Sequence, residues 1–220
     1  MSTESRYTLS TGMDRLDGTF RDGGLSPGST VAIVGPSDSI TGTLVYNMVA
    51  DRPTEYISLT RQPEAINESL TTAADTDPNE VSVHDLGDVP YSAVSDRLDE
   101  LKLIDESSLV LDPVNGLERT DSETYRTILR RFEERVRETG SFGIVHAVAE
   151  DSEPANRWQT LSTCSHVFEV LVETGTETID ESLAIRKLGG QDRLREDSRR
   201  IFPLPQGLDL DIGATRNVTP

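Results

Sequence analysis

The chain has 220 residues, 39 acidic against 21 basic, and a formal net charge of −18. That length fits one domain with a sizeable core, and so acidic a field works against duplex DNA, whose binding rests on cationic contacts to phosphate. One cysteine, Cys164, excludes an internal disulfide and a cysteine-cluster metal site.

The acid excess suits a surface adapted to high intracellular salt, as in halophilic archaea, and it also admits an acidic patch for a basic partner. Only Lys102 and Lys187 are lysines; the other basic residues are arginine. The opening MSTESRYTLS lacks the apolar core of a signal peptide. No apolar run approaches the roughly 18 residues of a spanning helix. The expectation is a soluble, cytoplasmic protein with no membrane partner.

In chain order, Gly12–Phe20 has the pattern of a short helix, with Thr11 as its cap and Met13, Leu16 and Phe20 on one face. Gly23–Ser29 is turn-rich. The stretch Thr30–Leu44, TVAIVGPSDSITGTL, then runs from an apolar strand through Gly35-Pro36 into a helix starting near Thr43. Strand, glycine turn and helix start is the arrangement that cradles phosphate on backbone N–H groups. Leu44, Val45, Met48 and Val49 keep helical spacing until Pro53 stops it.

Glu55–Leu59 reads as a buried strand and Pro63–Ala74 as a helix burying Ile66 and Leu70. Val81–Asp85 is a short strand. Ser92–Glu106 is expected to be helical, with Val94, Leu98 and Leu101 on one face. Ser108–Leu111 is an apolar strand ending on Asp112. Ser122–Thr139 is the clearest helix, its apolar stripe running through Tyr125, Ile128, Leu129, Phe132 and Val136. The arginines and glutamates on its other face read as a solvated, salt-bridged surface, with a nucleic-acid groove as the alternative. Phe142–Val148 is a strand containing His146, read as a packed imidazole, with sensing of a nucleotide at the strand's carboxyl end as the alternative. Pro154–Cys164 reads as helical, with Trp158 packed inside. Val167–Val172 and Leu183–Leu188 form a hairpin across Thr174–Thr178. Arg193–Arg200 is a charged loop, Phe202–Ile212 a last edge element and Gly213–Pro220 a free tail.

Several motifs fall in a recognisable order: Thr11-Gly12 with Leu16-Asp17, Gly23-Gly24, Pro27-Gly28, the loop from Gly35, Tyr56–Leu59, Leu109–Asp112 and Leu183–Lys187. Over residues 8–212 the chain resembles KaiC-like domains of the RecA ATPase superfamily. The resemblance implies an α/β, RecA-like P-loop NTPase fold: a mostly parallel central sheet flanked by helices, with a C-terminal β-hairpin. It also implies one domain over residues 1–212.

The residues that do the chemistry in such a site differ. In the pattern G-x-x-x-x-G-K-[ST] laid from Gly35, the second glycine falls on Ile40, the lysine on Thr41 and the hydroxyl position on Gly42. Thr41 removes the point charge for terminal phosphates, and Asp38 adds an anion facing an anion, a repulsion of roughly 2–4 kcal/mol. The glutamate pair that the resemblance implies after the second strand is replaced by Thr60 and Arg61, and arginine cannot serve as a base at neutral pH. Asp112, which the resemblance implies holds Mg²⁺ through water, is kept. At the K-x-R-G signature, which reaches a neighbouring subunit, Lys187 remains and the arginine position is Gly189.

The vestigial nucleotide site is thus Gly35, Ser37, Ser39, Thr41, Thr43 and Asp112, with no catalytic or metal-binding residue. The leading expectation is a catalytically silent regulatory or scaffolding module, without cofactor, that meets a protein partner or its own copies. The rival is an ATPase binding ATP and Mg²⁺ through a rearranged loop, with Ser37, Ser39, Thr41 and Thr43 as donors and Asp112 on the metal. A third reading is a recombination accessory that contacts DNA through Arg157 and Trp158 or the arginine-bearing helix.

Overall fold

A computed structural model describes residues 7–74, 80–176 and 178–204. The apolar run Thr30–Pro36 forms β1, and α2 (Thr41–Val49) follows it directly; the short α1 (Asp14–Asp17) precedes both. Next come β2 (Thr54–Ser58), α3 (Pro63–Ala74), β3 (Val81–Asp85), α4 (Val94–Glu100), β4 (Ser108–Asp112), α5 (Ser122–Glu138) and β5 (Phe142–Ala149). After α6 (Arg157–Thr163), the chain closes with β6 (His166–Thr174), β7 (Ile179–Lys187) and β8 (Ile201–Pro203).

Among the described residues these strands make one eight-stranded sheet in the order β3-β2-β4-β5-β1-β6-β7-β8. The first six pair in parallel, and β7 and β8 are antiparallel additions. Parallel strands are covered on both faces, and β1 shows how. Val31 and Ile33 point into a core with α2 and α3, through Leu44, Met48, Ile66 and Leu70. Ala32 points into the opposite core with α4 and α5, through Leu98, Leu129 and Phe132. The crossover after β1 leads toward β2, whereas that after β5 leads to β6 on the other side of β1. Connections leaving in opposite directions open a crevice past the carboxyl ends of these strands.

The helix Ser122–Thr139 ends at Glu138 and buries the expected stripe; Asp121 caps it by accepting the Glu123 and Thr124 N–H groups. Three other expectations are corrected. The Gly12–Phe20 helix shrinks to Asp14–Asp17, and Thr11 does not cap it. The Asp17 carboxylate instead accepts the Thr11 N–H at 2.9 Å and the Thr11 hydroxyl at 2.7 Å. The Ser92–Glu106 helix ends at Glu100, because Leu101 is already extended and Glu106 sits at φ 64°. Pro154–Cys164 is helical only over Arg157–Thr163. Of the Phe202–Ile212 element, Phe202 and Pro203 lie in β8; residues 205–212 and the tail lie outside the described residues.

The Thr11-Gly12 signal has a structural cause. Gly12 lies at φ +72°, and a Cβ there would stand 2.0 Å from the Asn47 carbonyl oxygen of α2. Only glycine lets the N-terminal segment lie so close. Gly12→Ala is expected to destabilise the fold by about 1–3 kcal/mol, read as a lower midpoint in urea.

Candidate functional site

β1 delivers Gly35 and Pro36 to the crevice, and the chain turns through Ser37–Ile40 into α2. The Ser39 N–H and hydroxyl both donate to the Pro36 carbonyl, at 3.2 and 2.6 Å. The Ser39 hydroxyl also bonds the Thr41 hydroxyl and accepts the Thr41 N–H at 3.3 Å. Thr41 is buried, 1 % exposed. A Cβ on Gly35 would stand 2.2 Å from Thr41 Oγ1 and 2.9 Å from the Val170 side chain. Glycine is needed here because the threonine hydroxyl is seated on it, inside the loop. Gly42 has open space around it. Asp38 is exposed, so solvent and salt weaken its repulsion of an approaching anion.

Across the crevice, β4 ends on Asp112, 6 % exposed. Its Oδ2 accepts the hydroxyl of Tyr56 on β2, and its Oδ1 pairs with Nδ1 of His146 on β5. Burial pushes this carboxyl up, but the bond and charge of His146, the Tyr56 hydroxyl and the charge of Arg61 outweigh it. The carboxyl ends below the ordinary carboxylate range. Burial and the neighbouring Asp112 charge push the Tyr56 phenol well above its usual value.

Arg61 follows β2 and is held from α2 and α3. It donates to the Tyr46 hydroxyl, to Ser69 Oγ at 2.8 Å and to the Ala65 carbonyl at 3.1 Å. Its guanidinium carbon lies 6.0 Å from the Tyr46 ring centre. The result is a cleft of about 340 Å³ lined by Ser37, Ser39, Thr41, Thr43, Arg61, Asp112 and His146, among others. The expected residues therefore share one cleft, with Gly35 beneath Thr41. A larger groove of about 580 Å³ lies at the sheet edge beside β3 and α4, with Glu55, His84, Asp85, Arg97 and Glu100 among its lining. We favour the smaller cleft, because the strand ends and the start of α2 converge there.

Sequence reasoning missed Tyr46, Tyr56 and Glu181. The Glu181 carboxylate, from β7, accepts the Ile40 N–H at 3.1 Å. For Tyr56 the signal is strand register: β2 and β4 align Ser58 with Asp112 and Tyr56 with Val110. That places the Tyr56 hydroxyl within reach of the end of β4.

The other candidates separate. Arg157 is buried; its Nε lies 2.7 and 2.9 Å from the two oxygens of the fully buried Glu118. Trp158, expected inside, is 61 % exposed. The reason is the register of α6, whose buried side chains are Arg157, Gln159 and Thr160. Lys187 donates to the carbonyls of Leu161, Ser162 and Cys164. On α5 the arginines meet acids, Arg130 with Glu134 at 3.1 Å and Arg131 with both Asp99 and Glu134.

Residues 8–200 match a family described as a family of unknown function, DUF7125. No curated protein matches the chain. Among solved structures it is similar to a KaiC-like protein of the hyperthermophilic archaeon Pyrococcus horikoshii, with a TM-score of 0.68 at 14 % sequence identity. That likeness covers 90 % of this chain and 94 % of the other. It establishes a KaiC-like fold. With 606 solved chains matching, the fold is too widely shared to name an activity. Among the described residues, no helix is long and apolar enough to cross a membrane.

Proposed function

The chain belongs to the DUF7125 family, and we propose that its KaiC-like domain neither holds nor hydrolyses a nucleoside triphosphate. It works instead as a regulatory or scaffolding module in a salt-rich archaeal cytoplasm, through a protein partner or its own copies. The observation that carries this reading is the buried Thr41 hydroxyl seated on Gly35. A side chain reaching for terminal phosphates would have to leave the loop, and this one is turned into it. Three further features agree. The Ile40 N–H is already bonded to a carboxylate. Asp112 is held by Tyr56 and His146. Arg61, where a carboxylate base would stand, is a cation braced by α2 and α3. The donor set does not fit a triphosphate with Mg²⁺. The net charge of −18 supports the salt-rich setting.

The test is an equilibrium titration of the purified chain with ATP and Mg²⁺ at high salt, together with a melting curve. The expected result is no saturable binding and no rise in Tm, since a ligand that binds only the folded state must raise it. A clear rise overturns the reading. The rival ATPase draws support from the Ser37 and Thr43 hydroxyls on the cleft wall. It requires turnover that Asp112→Asn abolishes.

A further inference from the structure

Glu181 stands opposite Val172 in the β6–β7 ladder, and its carbonyl accepts the Leu204 N–H at 2.8 Å. Its backbone is therefore paired on both sides, which fixes where its side chain starts. From there Oε1 accepts the N–H of Ile40 at 3.1 Å, a contact spanning 141 residues of sequence. Ile40 is the residue before α2, and its side chain, like that of Val172, packs on the same core. Anchored side chain and donated N–H together hold the loop against the hairpin. The start of a helix is where unpaired N–H groups and the helix dipole favour an anion. Here an anion is already seated, supplied by the chain itself.

We propose that Glu181 is an internal counter-ligand of the loop. It takes the anion position at the start of α2 and keeps free phosphoryl groups out; removing its charge opens a weak oxyanion site there. This rests on reading residues 35–41 as a closed phosphate loop. The exclusion has two parts. An incoming anion meets a like charge at short range. It also competes with a tethered carboxylate, whose effective concentration is about millimolar or higher.

The test uses the full chain and inorganic pyrophosphate at fixed ionic strength, followed by the backbone amide resonances of Ile40 and Gly42. In the wild type those resonances stay in place. In Glu181→Ala they move saturably, with affinity at least about tenfold tighter than any wild-type response. Glu181→Gln, which keeps an acceptor for the Ile40 N–H but no charge, falls between the two. The proposal is overturned if a folded Glu181→Ala ignores pyrophosphate, if it binds no better than wild type, or if the moving resonances lie away from the loop. Should the alanine variant fail to fold, Glu181→Gln decides, and no gain over wild type overturns it. ATP binding by the wild-type chain would sink the silent-module reading, and the proposal would then stand or fall on the gain of Glu181→Ala over wild type alone.

Discussion

Arg157→Ala is expected to lower the unfolding free energy by about 3–5 kcal/mol, the cost of leaving one partner of a buried ion pair uncompensated. For a chain of this size that is a fall in Tm of roughly 10 °C. The Glu118 side chain is 0 % exposed and that of Arg157 5 %. The guanidinium meets both carboxylate oxygens and also donates to the Val148 carbonyl at 2.9 Å. Glu118 further accepts the Thr160 hydroxyl, which is itself bonded to the Tyr125 hydroxyl at 2.7 Å. The network thereby ties β5, α5 and α6 together. Added salt should not rescue the variant, because a buried pair is screened far less than a surface one. Replacing both residues with apolar ones of similar volume should recover much of the loss. Urea and thermal unfolding at two salt concentrations check this. A loss below about 1 kcal/mol, the range of a surface pair, would refute the structural role.

Asp112 gives the second large effect, and a pH dependence with it. Asp112→Ala leaves the buried Tyr56 hydroxyl and the His146 ring nitrogen without their acceptor, at about 1–3 kcal/mol each. The folded-state pKa of this carboxyl lies below its ordinary value. Its contribution to stability is therefore fully present above the unfolded value of about 3.9. It is lost as pH falls below that value and through the folded one, where the folded state too becomes protonated. Unfolding free energy measured across the acid range should fall less steeply for Asp112→Asn than for wild type. Equal slopes would mean that this carboxyl is not held in its charged form by Tyr56 and His146.

Much of the architecture was legible along the chain, for local reasons. The apolar run before Gly35 became the central strand β1, and the stripe from Tyr125 to Val136 became the buried face of α5. Both patterns repeat within one element, so neighbours in sequence suffice to read them. The identities of Thr41, Thr60 and Arg61 were equally visible, being fixed by position in the chain. Where local reading failed, a distant group had decided. Trp158 reads as packed inside, but buried Glu118 pairs with Arg157 on the inward face of α6 and the indole lies outside.

By itself, then, the sequence determined the strands, the long helix α5 and the place of the loop. Apolar periodicity and turn residues act over a few positions. Only the tertiary structure decided what occupies the site: Tyr56 and His146 on Asp112, the Thr41 hydroxyl on Gly35, and Glu181 on the Ile40 N–H. Three of these four contacts join separate strands and loops and depend on strand register; the Thr41–Gly35 contact depends on how the loop folds back. A slip of one residue along a strand would turn each of its side chains to the opposite face.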